Sequence, residues 1–265
     1  MTSQSPQIRP VGRRSLLAGA AAGLGGWLLG AKGSHGDAQA QFRGAPVDYP
    51  VVVELFTSQG CSSCPPADAF LAELSKRQDV IALAYHVDYW DRLGWKDPFS
   101  SSWATQLQSS YSRRHNRRNN YTPQMIVDGE VDVIGSRRNM VLRAVEDELA
   151  KAQHQPRVKV AFIPNGEKVT VDLSGMANNV EAEVLLMRYD ELHQTKIGRG
   201  ENGGRTLNYH HVVRERRVLG RWRGEPVQFK VPKPGYDNAG LAVLVQERNY
   251  GPIIGAGQLR PDAII

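Results

Sequence analysis

The sequence predicts an α/β domain over residues 50–153, followed by an all-β, sandwich-like domain over residues 154–265. Two nearly apolar runs, at residues 51–56 and 79–85, are typical of strands covered on both faces. An apolar stripe with helical spacing lies between them. A third observation, a succession of strand-like runs separated by Gly, Pro and Asn, predicts the second domain.

The first domain begins with a strand, a helix and a second strand. The stripe that predicts this helix consists of Ala67, Phe70, Leu71 and Leu74. Pro65-Pro66 suits the first turn of a helix, where the missing N–H of proline costs nothing. Because a helix connects them, the two strands should be parallel.

The later elements follow from local patterns. An aromatic loop covers residues 88–98, and four apolar residues from Phe99 to Tyr111 recur every four positions, which indicates a helix. Asp128-Gly129 predicts a hairpin, and apolar residues between 141 and 149 predict a closing helix. The strand-like runs of the second domain lie at residues 158–162, 169–173, 180–189, 212–219, 227–231 and 241–247.

Residues 1–40 have the features of an export signal. Arg13-Arg14 precedes an apolar, glycine-rich run, and Ala38-Gln39-Ala40 resembles a cleavage site. The paired arginines resemble a twin-arginine signal. We therefore expect a periplasmic or extracellular protein with a linker at residues 41–49 and no membrane span after cleavage. The alternative is a signal that is retained as an anchor.

The charge balance argues against nucleic acid as a partner. The full chain has 33 basic and 27 acidic residues and a net charge of +6. Residues 1–40 contain four of the basic residues and one acidic residue, which leaves the mature chain at about +3. So small a positive excess does not create a strong field for a polyanion.

Both cysteines of the chain lie in Cys61-Ser62-Ser63-Cys64, between the first strand and the helix. A helix start favours a thiolate, so this placement is typical of a thiol–disulfide site. Cys61 would attack a partner disulfide and Cys64 would resolve the mixed disulfide, without a cofactor. A structural disulfide is the alternative, although so small a loop stabilises a chain little. A zinc site would need two further ligands, and the chain has no second Cys pair.

The order strand, Cys-x-x-Cys, helix, strand, helix, Thr-Pro, hairpin, helix resembles the thioredoxin fold over residues 50–153. The fold has a βαβ unit, then a cis proline, then a ββα unit. The resemblance implies that the Thr122-Pro123 peptide bond is cis, that Pro123 faces the cysteines, and that Cys61 is the exposed attacker. Ser62-Ser63 and Gln59-Gly60 differ from the thioredoxin residues, so the redox potential is not implied.

Glu54 is the only charged residue of the first strand. In the thioredoxin resemblance it falls on the position of a buried acid below the cysteines. A buried carboxylate has a raised pKa and suits proton transfer, so Glu54 is a candidate proton acceptor for Cys64. The alternative is a glutamate at the strand end that reaches solvent or pairs with an arginine.

Two further classes of function remain open. A copper carrier related to thioredoxin would use Cys61, Cys64 and His86, since His86 ends the second strand at the same edge as the cysteines. An ordinary hydrogen-bonded histidine is the simpler interpretation. The other class is an interaction module, in which the β domain recognises a partner and the disulfide is inert.

Three surface segments have a possible role in recognition. Tyr89, Trp90 and Thr122 could line a groove for a partner chain, or the aromatic residues could simply cap the core. Residues 113–118 form a basic run that could meet an anionic partner or could be a solvated helix end. The glycine-rich residues 198–205 do not lead into a helix, so a phosphate loop is excluded and a loop lying against the first domain is expected.

Longer matches lead to a family. The matching segments are residues 54–68, 86–90, 94–98, 121–125, 198–202 and 205–207. They resemble a family of exported bacterial thioredoxin-like proteins known only as a domain of unknown function. The sequence thus predicts an exported thiol–disulfide oxidoreductase whose partners are a disulfide or dithiol of a protein or small thiol and a second redox partner.

Overall fold

The structure is a computed structural model that describes residues 49–175, 180–235 and 237–261. The expected export signal at residues 1–40 and residues 41–48 of the expected linker lie outside these ranges. Within them, no helix is both long enough and apolar enough to cross a membrane.

The first part of the chain contains four strands and three helices in the expected order. They are β1 (Val51–Thr57), α1 (Pro65–Leu74), β2 (Val80–His86), α2 (Ser102–Arg114), β3 (Gln124–Val127), β4 (Val131–Ile134) and α3 (Arg138–Ala152). Asp128 and Gly129 have positive φ angles of 48° and 75°, as the turn between β3 and β4 requires.

The second part is built from strands. They are β5 (Val158–Asn165), β6 (Lys168–Gly175), β7 (Ala182–Lys196), β8 (Thr206–Trp222), β9 (Val227–Pro232), β10 (Ala239–Glu247) and β11 (Ile253–Leu259). The sequence did not predict β11, because its two glycines weaken the strand pattern. They allow close approach of β5: a Cβ atom on Gly257 would lie 2.9 Å from Cγ1 of Val160.

One large sheet crosses the boundary that was expected between residues 153 and 154. Its strand order is β11-β10-β7-β8-β2-β1-β3-β4. β1 is parallel to β2 and antiparallel to β3, and β2 pairs with β8 in parallel at Ala84 and Val212. The later strands therefore cover the edge of β2 that the first part alone would expose.

The second layer of the β-rich part is a sheet of three strands in the order β5-β6-β9. Val171 of β6 packs in one cluster with Val184 of β7 and Val243 of β10. The strands after residue 153 thus form two packed layers, as expected of a sandwich, but one layer continues into the α/β part.

The two faces of β1 pack against different helices. Phe56 packs in a cluster with Tyr111 of α2 and Met187 of β7, whereas Leu55 packs with Leu71 of α1 and with α3. Side chains alternate between the two faces of a strand. An even-numbered residue of β1 therefore faces α2 and the later strands, and an odd-numbered residue faces α1.

Candidate active site

The two cysteines form a disulfide at the start of α1. Their Cα atoms are 5.4 Å apart, and Cys64 is the N-cap residue of the helix. Pro65 and Pro66 occupy the first turn, where proline needs no hydrogen-bond acceptor. The local sequence therefore places the disulfide at the carboxyl end of β1, directly before the helix.

Both cysteines are fully buried, with 0% relative exposure, whereas Ser62 and Ser63 between them are exposed. This differs from the exposed Cys61 that the thioredoxin resemblance implies. A segment distant in sequence, residues 198–205, lies against the turn that carries the cysteines, and we call it the glycine-rich loop.

The glycine-rich loop binds the backbone around the cysteines. Asn202, which is 1% exposed, donates from Nδ2 to the carbonyl oxygens of Gln59 and Cys61 at 3.0 and 2.9 Å. Arg205 donates a hydrogen bond from Nη1 to Oδ1 of Asn202 at 2.8 Å. Glu201 accepts a hydrogen bond from the backbone N–H of Ser62 at 3.0 Å. The loop therefore lies against the backbone of residues 59–62, in agreement with the expectation of a loop lying against the first domain.

Two glycines allow this loop to lie on Trp95. A Cβ atom on Gly198 would be 2.9 Å from the Trp95 ring, and Gly200 has a φ of +77°, which favours glycine. Trp95 also donates from Nε1 to Oε1 of Gln59 at 2.9 Å. The loop, Trp95 and the residues before Cys61 thus form one contiguous unit.

The Thr122–Pro123 peptide bond is cis, which confirms that part of the sequence prediction. The hydroxyl of Ser63 donates to the carbonyl oxygen of Thr122 at 3.4 Å. Trp90 donates from Nε1 to Oγ1 of Thr122 at 2.9 Å, and the Tyr89 ring lies 6.4 Å from the Trp90 ring. The three expected groove residues are therefore brought together beside the cysteine pair.

Glu54 is buried, but it does not lie beside Cys64. Its side chain is on the face of β1 that packs against α2, opposite the face that packs against α1. Tyr111 donates to its Oε2 at 2.5 Å, and Gln246 of β10 donates to the Tyr111 hydroxyl at 2.8 Å. Burial raises the pKa of Glu54. Glu54 is thus part of a polar network inside the core, and neither interpretation from the sequence anticipated this.

Asp68 is the buried acid that follows the cysteines. It lies one helical turn after Cys64, and its N–H bonds to the Cys64 carbonyl at 3.1 Å. Oδ1 accepts a hydrogen bond from Thr57 at 2.8 Å. Burial raises the pKa of Asp68 to about 7. Sequence reasoning did not single out Asp68, although an aspartate four residues after Cys64 was a usable signal.

The contact partner of the His86 ring is Asp97 rather than a cysteine. Nδ1 of His86 lies 2.6 Å from Oδ2 of Asp97, which also accepts the N–H of Gln59 at 2.8 Å. Burial acts to raise the pKa of Asp97, but His86 and the backbone N–H groups outweigh it and lower that pKa. Among the described residues, no group of three or more His, Cys, Asp or Glu side chains is arranged to hold a metal ion. The copper set with Cys61, Cys64 and His86 is therefore not assembled.

Three buried polar atoms belong to side chains that interact electrostatically with one another. They are Oδ2 of Asp68, Nε2 of His86 and the hydroxyl of Tyr209, and none has a hydrogen-bond partner within the described ranges. The rings of His86 and Tyr209 are 5.1 Å apart, and the charge of His86 lowers the pKa of Asp68 against the effect of burial. Asp68 also lines a cavity of about 380 Å³ between α1 and β8. Asp68 therefore borders this cavity, while its Oδ2 atom is itself buried.

The fold and the site define a mixed α/β protein with a covered Cys-x-x-Cys disulfide beside a cis proline. A family model described as "Protein of unknown function (DUF1223)" matches residues 52–246, and the chain belongs to this family. None of the curated proteins matches the chain significantly.

Two solved structures are similar over most of the chain. A structural-genomics crystal structure of a protein from Agrobacterium tumefaciens is 33% identical, with a TM-score of 0.70, over 82% of this chain and 96% of that chain. HBP35 of Porphyromonas gingivalis is 16% identical, with a TM-score of 0.53, over 81% of this chain and 76% of that chain. The second likeness concerns the fold alone.

Proposed function

We propose that this protein is an exported thiol–disulfide oxidoreductase of the thioredoxin-like class that acts through Cys61 and Cys64. The observation that carries the proposal is the position of the disulfide, directly before α1 and in contact, through Ser63, with the carbonyl of Thr122. The strand order β2-β1-β3-β4 supports the thioredoxin-like class. The features of residues 1–40 support export to a compartment where disulfides persist.

The reaction begins with the reduced protein. The Cys61 thiolate attacks one sulfur of a partner disulfide, a bond forms between them, and the other partner sulfur leaves as a thiolate. Cys64 then loses its proton and attacks Cys61, which releases the second partner thiolate. Two electrons pass to the partner, and the same steps in reverse oxidise a partner dithiol.

Asp68 is the group to which we assign the proton of Cys64. It stands one turn after Cys64 on the same helix face, and its unpartnered Oδ2 is able to accept a proton. An acid whose pKa lies near 7 is well suited to proton transfer at neutral pH. The cavity between α1 and β8 then returns the proton to solvent.

A trapping experiment tests the assignment of the two cysteines. The reduced Cys64→Ser variant should form a stable mixed disulfide with a small disulfide reagent, because the resolving thiol is absent. The Cys61→Ser variant should form none at comparable times, because Cys61 is the assigned attacking thiol and Cys64 acts only on the mixed disulfide. Mass spectrometry counts the adducts. Equal adducts on both variants, or dithiol exchange at the wild-type rate in Cys61→Ser, would contradict the proposal.

The full burial of both cysteines favours a second candidate, a binding protein in which the disulfide is inert. The two candidates differ in the pKa of the reduced Cys61 thiol. An active site lowers it below the ordinary value of about 8.5, whereas an inert pair leaves it near that value. Titration of the thiolate absorbance in the Cys64→Ser variant measures the pKa of the Cys61 thiol directly.

A further inference from the structure

A pocket of about 450 Å³ lies between the end of α2 and the aromatic loop. Its lining includes Arg92, Arg113, Arg117, Arg118, Ser112 and Tyr89, and we call it the arginine pocket. Three arginines of the basic run at residues 113–118 thus line one open concavity together with Arg92, and all four residues are exposed.

The arginine pocket has an excess of positive charge. Arg117 pairs with Asp132 at 2.7 Å. In the described part of the chain, Arg92, Arg113 and Arg118 form no ion pair, and no lining residue is acidic. A concave site lined with uncompensated guanidinium groups concentrates anions, and guanidinium groups bind carboxylates in a bidentate manner.

A neutral donor completes the lining. Ser112 is only 3% exposed, and its hydroxyl has no hydrogen-bond partner among the described residues. Buried polar groups normally have a hydrogen-bond partner, so the Ser112 hydroxyl is a donor that is still free at the edge of the pocket.

The pocket adjoins the groove beside the cysteines. Tyr89 in its wall precedes Trp90, whose indole bonds to Thr122. Asn120, also in the wall, stands two residues before Thr122, whose carbonyl contacts Ser63. A ligand that is held by the arginines and exchanges with the cysteines has to reach from the pocket past Thr122 to Ser63.

We infer that the arginine pocket binds the carboxylates of a small anionic thiol or disulfide, of the size of a short acidic peptide, which exchanges with Cys61 and Cys64. This inference rests on the proposed function and names its substrate class. The cavity volume is within the range of small-molecule sites, which favours such a ligand over a protein surface.

Disulfides of different charge test the inference. Stopped-flow fluorescence measures the oxidation of the reduced protein by oxidised glutathione, which carries carboxylates, and by the neutral bis(2-hydroxyethyl) disulfide. In the Arg113→Gln/Arg118→Gln variant, the ratio of the anionic to the neutral rate constant should fall about 10-fold. Arg137→Gln/Arg143→Gln, with the same change of charge on exposed residues at α3, should keep the wild-type ratio.

A second arm is independent of redox chemistry. S-Methylglutathione, which cannot exchange, should bind the oxidised protein in calorimetry, and the affinity should fall at high salt and in the Arg113→Gln/Arg118→Gln variant. An unchanged rate ratio, or binding that the variant leaves unchanged, would overturn the inference. Failure to exchange even with the neutral disulfide would instead remove the proposed function, while the calorimetric arm still decides whether the pocket binds this anion.

Discussion

Two buried acids lie near the start of the chemistry that we propose, and the mechanism depends on which of them takes the proton of Cys64. Glu54 and Asp68 are both buried, and burial raises both pKa values. Glu54 accepts a hydrogen bond from the Tyr111 hydroxyl on the α2 side of β1, whereas Asp68 follows Cys64 on α1. A raised pKa alone therefore does not identify a proton acceptor, and the face of the strand or helix decides.

Asp68→Asn should slow the resolving step. With an aromatic disulfide that releases a coloured thiolate, the first release reports attack by Cys61 and the second reports attack by Cys64. The second rate should rise with pH through about 7 in the wild type, because Asp68 loses its proton there and becomes a base. The variant should lack this inflection and be slower by about 10-fold or more.

Glu54→Gln is the matched control for this measurement, since it also neutralises a buried acid. It should keep the inflection of the second release near pH 7. Loss of the inflection in Glu54→Gln, together with its survival in Asp68→Asn, would return the role to Glu54. The groups that face Asp68 are Thr57, His86, Asp97 and Tyr209, so the inflection reports this cluster as a whole.

At the scale of elements, the glycine-rich loop determines access to the disulfide. It joins β7 to β8, so strands of the later part of the chain deliver Asn202 to the residues before and within the Cys-x-x-Cys turn. These contacts stabilise the turn that carries the two cysteines, whose side chains are buried. We therefore expect partner access to Cys61 to require movement of this loop.

Asn202→Ala should make the disulfide easier to reach. It leaves the carbonyl oxygens of Gln59 and Cys61 without their donor, so the free energy of unfolding should fall by about 1–3 kcal/mol. Reduction of the disulfide by a small phosphine should become faster. Chemical denaturation and the rate of thiol appearance measure the two effects.

Asn208→Ala provides the control, because Asn208 is exposed on β8 and bonds only to Gln194 among the described side chains. Its free energy of unfolding should stay within about 0.5 kcal/mol of the wild-type value. If Asn202→Ala left the rate of reduction unchanged, the loop would not be what limits access.

At the scale of the whole molecule, the large sheet makes the two expected domains depend on each other. Phe56 of β1 and Tyr85 of β2 share a core with Leu185, Met187 and Ala242 from later strands. β2 also pairs with β8. Removing the later strands would expose both an apolar face and a strand edge.

A chain that ends at residue 153 should therefore fail to fold on its own. Residues 41–265 should unfold in urea in one transition that far-UV circular dichroism and tryptophan fluorescence report at the same midpoint. Residues 41–153 should show no cooperative transition. A sharp transition in the shorter chain would mean that the α/β part is an independent domain.

Local patterns along the chain were enough to predict the features that depend on near neighbours in sequence. Apolar periodicity located α1, α2 and α3, the Asp128-Gly129 pair located the hairpin, and the cysteine spacing located the disulfide. Each pattern reflects the geometry of one helix, strand or turn. The cis bond before Pro123 followed from resemblance to a known fold.

The surroundings of the cysteines could not be predicted from local patterns, because they depend on packing between distant segments. Asn202 donates a hydrogen bond to the carbonyl oxygen of Cys61, which is 141 positions away in sequence. Arg92 lines the same pocket as Arg118, because the aromatic loop lies beside the end of α2. The face of β1 on which Glu54 lies depends on which elements pack against each side of the sheet. Such contacts are determined by strand pairing and packing across the whole sheet, which the spacing of residues in one segment does not record.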